Sequence, residues 1–232
     1  MSCSVALLAS TPKPDELVAA AARLCYRDVT AADLLLGETE SLSEELLGHI
    51  WRSGHHSPFE HAVFTFAVDG LSRVASHQLV RHRIASFSQQ SQRYVRMDAA
   101  DVVVPPAVAA HHEAARLFAQ QAQAAHETYK KLLSLGIPAE DARFVLPHGW
   151  ETRLVLTMNA RELHHFFRLR LCRRAQWEIR EMARLMLSEC RRAAPVLFRK
   201  AGPSCLFGPC VEARPCGRPY KDMEDLLAIA KD

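Results

Sequence analysis

The chain has 232 residues, of which 49% are hydrophobic and 24% charged, and its formal net charge is +3. This composition is typical of a soluble globular protein with one domain or two small ones, and the mild charge does not indicate a nucleic-acid-binding protein. No apolar run reaches the roughly 20 residues of a transmembrane helix, and residues 1–10 lack the basic segment and cleavage site of a secretion signal. An odd number of cysteines, seven, predicts reduced thiols and a cytoplasmic location.

Helices dominate the predicted elements, and the few strands are separated by them. A run rich in β-branched and aromatic residues, closed by Asp69-Gly70, predicts the clearest strand. An alanine- and glutamine-rich stretch predicts one long helix that Gly136 and Pro138 end, and a capping box from Ser41 to Glu44 opens another helix. Strands are predicted at 4–9 (an edge strand), 62–68, 101–104 and 150–158. Helices are predicted at 14–26, 41–53, 71–82, 107–135, 138–146, 161–172, 174–194 and 221–230.

These elements predict an α+β fold: a single domain with a small mixed or antiparallel sheet flanked by several helices, including a long central helix. Residues 201–232, which contain Cys, Pro and Gly, are predicted to form a C-terminal tail after a domain at 1–200. The sequence has no G-x-G-x-x-G, G-x-x-x-x-G-K-[ST] or G-x-S-x-G motif. A bound dinucleotide would therefore not use a Rossmann crossover.

The densest polar cluster begins with Arg81, His82 and Arg83 and continues through serines and glutamines to Arg93, without helical periodicity. Guanidinium and amide donors at one place suit a phosphorylated ligand with a polar heterocycle. The alternative is a solvated basic end of the preceding helix. The absence of lysine from this run favours the ligand, because ordinary surfaces mix Lys and Glu.

Two further clusters contain possible ligand-binding groups. Residues 54–61 hold three histidines and Glu60, but Pro58 interrupts any helix that would place metal ligands one turn apart. No metal is therefore predicted there, and the side chains serve a pocket or a structural turn. Residues 159–170 begin with Asn159 and contain several arginines, which suits either a planar ligand or an amphipathic helix with a solvated face.

Arg143 and the tail cysteines leave their partners open. Arg143 has mostly apolar neighbours and, if buried, needs either an internal carboxylate or a ligand phosphate. Cys205, Cys210 and Cys216 form a C-x4-C-x5-C pattern that falls short of a zinc ribbon, so free thiols are expected.

The segment RHRIASFSQQS, from Arg81 to Ser91, resembles the RHR-x7-S signature of the flavin-dependent thymidylate synthases. The segments at 54–66, 142–147 and 159–180 resemble the same family in order and spacing, so the likeness covers about residues 16–200. It implies FAD-dependent methylation of dUMP to dTMP, with 5,10-methylenetetrahydrofolate as carbon donor and NADPH as reductant. It also implies a homotetramer with shared active sites, and neither a nucleic-acid nor a membrane partner.

The resemblance implies a role for each matching residue. The FAD-binding positions are Ser57, Glu60, Arg81, His82, Arg83, Gln89, Asn159, Arg161 and His165, with His55 near the flavin face. The dUMP-binding positions are Gln78, Arg81, Gln89, Gln90, Ser91, Gln92, Arg93, Arg143 and Arg170. Arg170 matches the catalytic arginine that lies against the uracil, where a permanent positive charge favours an anionic ring and so activates C5. Some members of the family carry Glu, Asn and His at the positions of Gln89, His165 and Arg174.

Three alternatives come from other classes of protein. One is an RNA-binding or RNA-modifying protein that uses the arginines on phosphates, although residues 81–93 offer only Phe87 for base stacking. Another is a related flavoprotein that methylates uracil in RNA, and the third is a non-catalytic nucleotide-binding module. A yellow purified protein would exclude the readings that need no flavin.

Overall fold

The computed structural model describes residues 3–36 and 44–228. The strands are β1 (Ser4–Ser10), β2 (Val63–Ser72), β3 (Ala85–Gln89) and β4 (Glu151–Asn159). The helices of the described part are α1 (Pro14–Leu24), α2 (Ala31–Leu36), α3 (Glu44–Arg52), α4 (Arg73–Leu79), α5 (Pro106–Ala109), α6 (His112–Ser134), α7 (Ala139–Ala142), α8 (Ala160–Arg170), α9 (Trp177–Ala193) and α10 (Met223–Leu227). Within this described part, no helix is long and apolar enough to cross a bilayer.

The four strands form one antiparallel sheet in the order β1-β2-β4-β3. Burial alternates along β2 and β4, since Phe64, Phe66, Leu154 and Leu156 face inwards, as the two-residue period of a strand requires. β1 lies at an edge of the sheet, as predicted. The α+β fold class with a small sheet, several helices and one long helix is confirmed.

Some predicted boundaries are wrong, for local reasons. The strand predicted at 101–104 is only an isolated bridge between Val102 and Trp150. The helix predicted at 107–135 is interrupted, because the His111 side chain accepts a hydrogen bond from Ala114 N and so starts α6 anew. The strand β3 was not predicted. The proposed capping residue Ser41 lies outside the described residues, as do the last residues of the helix predicted at 221–230.

The internal contacts divide the chain into two compact units. The first comprises Met1–Ser4, Val68–Arg81 and Ser88–Val155. Its core holds Trp150, Tyr129, Met97 and Leu146, with partly buried apolar side chains around them. The His126 ring of α6 makes a hydrogen bond with Met97 O at 2.8 Å, so the long helix holds the segment that follows the polar cluster.

The second unit comprises Val5–Ala67, His82–Phe87 and Leu156–Asp232, and it includes the described part of the predicted tail. Its core is aromatic: Phe198 packs edge-on against Phe64 and Phe167, with ring centroids 5.2 and 6.0 Å away. Asp15 of α1 accepts hydrogen bonds from the backbone of Val196 and Leu197, 3.1 and 2.9 Å away. These bonds stabilise the turn that follows α9.

Candidate functional site

The polar residues 89–93 of the first unit begin at Gln89, the last residue of the short strand β3. The Gln89 amide donates to the hydroxyls of Ser76 and Thr152, at 3.1 and 3.0 Å, so its orientation is fixed by the protein. Gln90 donates its N–H to Arg153 O at 2.9 Å, and its own carbonyl accepts from the Arg73 guanidinium at 2.9 Å. The segment is thus anchored through its first two residues.

The remaining residues of this segment combine a tight turn with an exposed cation. The Ser91 hydroxyl accepts from Arg93 N at 3.2 Å, and Gln92 is buried. The exposed Arg93 guanidinium donates to the Glu140 carboxylate at 2.8 Å, while Arg143 Nε donates to the backbone carbonyl of Glu140 at 3.0 Å. Arg93 and Arg143 therefore both bond to Glu140. Arg143 is only partly buried, so the condition under which it would need an anionic partner is not met.

Arg73 adds a third cation to this group. Burial, followed by the positive charge of Arg143, lowers the pKa of Arg73. The Arg73 Nε atom is buried without a hydrogen-bond partner, although Nη2 is bonded to Gln90. Arg73, Arg93 and Arg143 thus form a positively charged group suited to an anion. Of the two other dUMP positions predicted in this unit, Gln78 is half-buried on α4 and Arg81 is exposed just after it.

In the second unit, α8 begins at Ala160, one residue before the predicted start, and Asn159 is its N-cap. The Asn159 side chain caps the helix by accepting from Glu162 N at 2.9 Å. At the second residue of the helix, Arg161 donates to the Glu60 carboxylate, so two of the predicted FAD-binding residues are paired. Both are about half exposed, so the pair contributes little stability and can rearrange around a ligand.

His82 connects α8 to the arginine at its C-terminal end. Its ring is 4% exposed and lies between Glu162, whose Oε1 is 2.8 Å from His82 Nδ1, and Arg170, whose Nε donates to His82 Nε2 at 3.0 Å. Because a guanidinium can only donate, Nε2 carries the lone pair and Nδ1 carries the proton, which it donates to Glu162. His82 is therefore neutral, and its Nε2 atom orients Arg170 by accepting the Nε–H bond.

The pKa shifts of Glu162, His82 and Arg170 agree with the hydrogen bonds between them. Burial, followed by the charge of Arg170, lowers the pKa of His82 to about 4. Burial also raises the pKa of Glu162 and lowers that of Arg170. The direction at His82 is the one that keeps its ring neutral at physiological pH.

His165 lies near the same chain, with its ring centroid 5.6 Å from that of His82. His82, Glu162 and His165 each offer one atom that could ligate a metal ion, and these atoms lie within 4.8 Å of one another, an arrangement that resembles a metal site. The Arg170 guanidinium bonded to His82 opposes a further cation there, and burial lowers the pKa of His165. The group is better suited to orienting Arg170 than to binding a metal ion.

The other predicted FAD positions are exposed. Ser57 and His55 lie at and before a short 3-10 turn, Ser57–His61, and Arg83 follows the buried His82. Their exposure leaves them accessible to a ligand.

The tail cysteines line a separate cavity of the second unit. Cys205, Cys210 and Cys216 border it with Cys172 and Tyr220, and its volume is about 580 Å³. None of the seven cysteines forms a disulfide in the structure.

Sequence reasoning missed three residues that organise these groups: Arg73, Glu140 and Glu162. Glu162 had a usable signal, because an asparagine followed three residues later by glutamate is a capping pattern, and it lies in a basic segment. The other two had none, since Arg73 bonds to Gln90, 17 positions away, and the Glu140 carboxylate bonds to Arg93, 47 positions away.

The fold is that of an α+β protein, and each of its two units contains an arginine-rich group of polar residues. A family model described as thymidylate synthase complementing protein matches residues 6–196. A protein of Geobacter sulfurreducens named flavin-dependent thymidylate synthase is 52% identical over 217 residues, which covers 92% of this chain and 94% of the relative. One of the same name from Clostridium tetani is 43% identical over 235 residues, covering 94% of each.

A solved structure agrees with these relatives. The UMP/dUMP methylase PolB from Streptomyces cacaoi, bound with 5-Br dUMP, is similar with a TM-score of 0.77 and 30% identity, covering 85% of this chain and 94% of that chain. The chain belongs to the flavin-dependent thymidylate synthase family.

Proposed function

We propose that this protein methylates dUMP to dTMP with bound FAD, using 5,10-methylenetetrahydrofolate as carbon donor and NADPH as reductant. The observation that carries the proposal is Arg170, a guanidinium oriented by the buried histidine of the RHR-x7-S motif. Family membership and the methylase likeness support the same reaction. The catalytic domain spans residues 1–200, with 201–232 as its tail.

The donor set fits FAD. Exposed Arg83 and Arg161 can bind the pyrophosphate as charged donors, and Ser57 and His165 offer further hydrogen bonds. We assign FAD contacts to these residues and to Glu60, Arg81, Gln89 and Asn159, and place His55 near the flavin face. His82 is also assigned to the FAD site, where its ring is fixed by bonds from both nitrogens to Glu162 and Arg170. Bound FAD, once reduced, supplies the hydride of the reaction.

The cations of the first unit suit the nucleotide. Arg93 and Arg143 provide guanidinium groups for the dUMP phosphate, and Gln89 presents an amide whose orientation the protein fixes. Gln78, Arg81, Gln90, Ser91 and Gln92 complete the proposed contacts.

Arg170 is the proposed catalytic residue. Its guanidinium, placed against the uracil near N3, stabilises negative charge on the ring and so raises the electron density at C5. Burial makes this charge more effective, since the interaction is stronger where water is excluded.

The assembly and the substrate class extend the same proposal. The protein acts in the cytoplasm as a homotetramer whose active sites are shared between subunits. A free nucleotide is favoured over uracil in RNA, because the similar methylase is named for UMP and dUMP. Neither a nucleic acid nor a membrane is a proposed partner.

The purified protein should be yellow, and dUMP should shift its flavin absorbance bands. Adding methylenetetrahydrofolate and NADPH should then produce dTMP, which chromatography of the products would detect. Bands that dUMP does not perturb, or the absence of dTMP with all substrates present, would contradict the proposed function. Methylation of an RNA substrate instead would favour the RNA alternative.

Arg93→Ala should raise the KM for dUMP on the order of 10- to 100-fold, because a charge-assisted bond to the phosphate is lost. Arg116→Ala is the matched control, since Arg116 is also exposed and bonded to a glutamate, Glu113, at 2.6 Å. Steady-state kinetics with varied dUMP would measure both variants. An equal KM in Arg93→Ala and the control would exclude Arg93 from the phosphate site.

A further inference from the structure

We propose that Glu162 is a positioning residue for Arg170, acting through the tautomer of His82. The inference rests on the proposed function, because it concerns how the catalytic arginine is held for that reaction. Glu162 and Arg170 bond to opposite nitrogens of the His82 ring, Nδ1 and Nε2, so the effect of Glu162 passes through this imidazole.

The directions of the hydrogen bonds carry the argument. Arg170 Nε donates to His82 Nε2 at 3.0 Å, which requires a lone pair on Nε2. A neutral imidazole with its lone pair on Nε2 has its proton on Nδ1, and the Glu162 carboxylate, 2.8 Å away, can only accept. The carboxylate thus selects the one tautomer that can bind Arg170.

Glu162 is itself held firmly. Asn159 Oδ1 accepts from its backbone N–H, and its side chain is buried in the first turn of α8, where the helix dipole favours a negative charge. The His82 ring also packs against Phe166 at 4.9 Å, so it has little freedom to turn away. The series of hydrogen bonds from Asn159, the cap of α8, to Arg170 is therefore preorganised.

Loss of the carboxylate should weaken the bond between His82 and Arg170. A glutamine at position 162 can donate its own N–H to His82 Nδ1 and so stabilise the opposite tautomer. His82 would then present Nε2–H to the N–H of Arg170, two donors facing each other. The guanidinium would turn from its present direction, although its charge is retained.

The first test compares Glu162→Gln with wild type in the holoenzyme. We expect kcat for dTMP formation to fall on the order of 10- to 100-fold, with flavin absorbance and melting temperature close to wild type. Glu181→Gln is the control. Glu181 is a partly buried glutamate of α9 that is paired with Arg184 and takes no part in the hydrogen bonds between Glu162, His82 and Arg170. Its kcat should stay within about twofold of wild type.

A double-mutant cycle separates positioning from general stabilisation. In an Arg170→Ala background, Glu162→Gln should change kcat and the dUMP dissociation constant, read from the flavin bands, by less than about twofold. An equal loss in both backgrounds, or full activity of the single variant, would overturn the proposal. If Glu162→Gln does not fold, the same cycle with Glu162→Asp, which keeps the carboxylate, must show coupling to Arg170. Wild-type protein that makes no dTMP would instead overturn the proposed function.

Discussion

Replacing Arg170 with alanine should lower dTMP formation on the order of 100- to 1,000-fold while the purified protein stays yellow. The physical reason is that a preorganised positive charge beside the uracil is lost, and such donors contribute most where charge develops in the transition state. Flavin should remain because the proposed FAD contacts lie on other side chains. Single-turnover dTMP formation and the flavin spectrum of the same sample would measure the two effects separately.

Two further variants sharpen this prediction. Arg170→Lys keeps the charge but lacks the Nε–H group that donates to His82. Its activity should therefore lie between those of Arg170→Ala and the wild type. Arg192→Ala removes an exposed arginine of α9 paired with Glu189, and it should behave like wild type. Turnover of Arg170→Ala near the wild-type level would remove Arg170 from the chemistry and leave its bond to His82 as a structural contact.

The helix that carries Arg170 shows what the sequence could predict. Asn159 was recognisable as its start, and α8 begins at the next residue with the Asn159 side chain as cap. The strand β3 was missed because its residues are mostly serine and glutamine, whose intrinsic preferences do not favour strands. Its pairing depends on β4, from which Arg153 accepts the Gln90 N–H bond, and a distant partner leaves no local signal.

The candidate site shows the same division. Residue types and spacing indicated clusters of arginines and histidines as candidate sites, because anion binding needs those side chains, and their ligand-binding roles stay predictions. They could not predict that Glu140 brings Arg93 and Arg143 together, or that Glu162 fixes His82, 80 positions away in sequence. Such contacts depend on tertiary packing. A single sequence indicates tertiary packing only where it resembles a known family.

Lowering the pH from 7 to 4 should decrease the free energy of unfolding of the wild-type protein by about 3 kcal/mol more than that of a His164→Phe variant. Burial lowers the pKa of His164 to about 4, more than its bond to the Leu197 carbonyl raises it. The unfolded chain therefore binds a proton first, at its ordinary pKa near 6.5. The stability from neutral His164 is fully present above that value and is lost as the pH falls towards 4.

The phenylalanine keeps the ring between Trp51 and Phe198 but leaves Leu197 O without its partner, so the variant should be about 1–3 kcal/mol less stable at pH 7. The two stability curves should then converge on acidification. Buried His82 adds loss of the same sign, and the raised pKa values of Asp15 and Glu162 act in the opposite direction, but these contributions cancel in the difference. Urea unfolding of both proteins at equal protein and FAD concentrations would measure it. Parallel curves between pH 7 and 4 would mean that His164 is charged in the folded protein, and that its buried ring tolerates the proton.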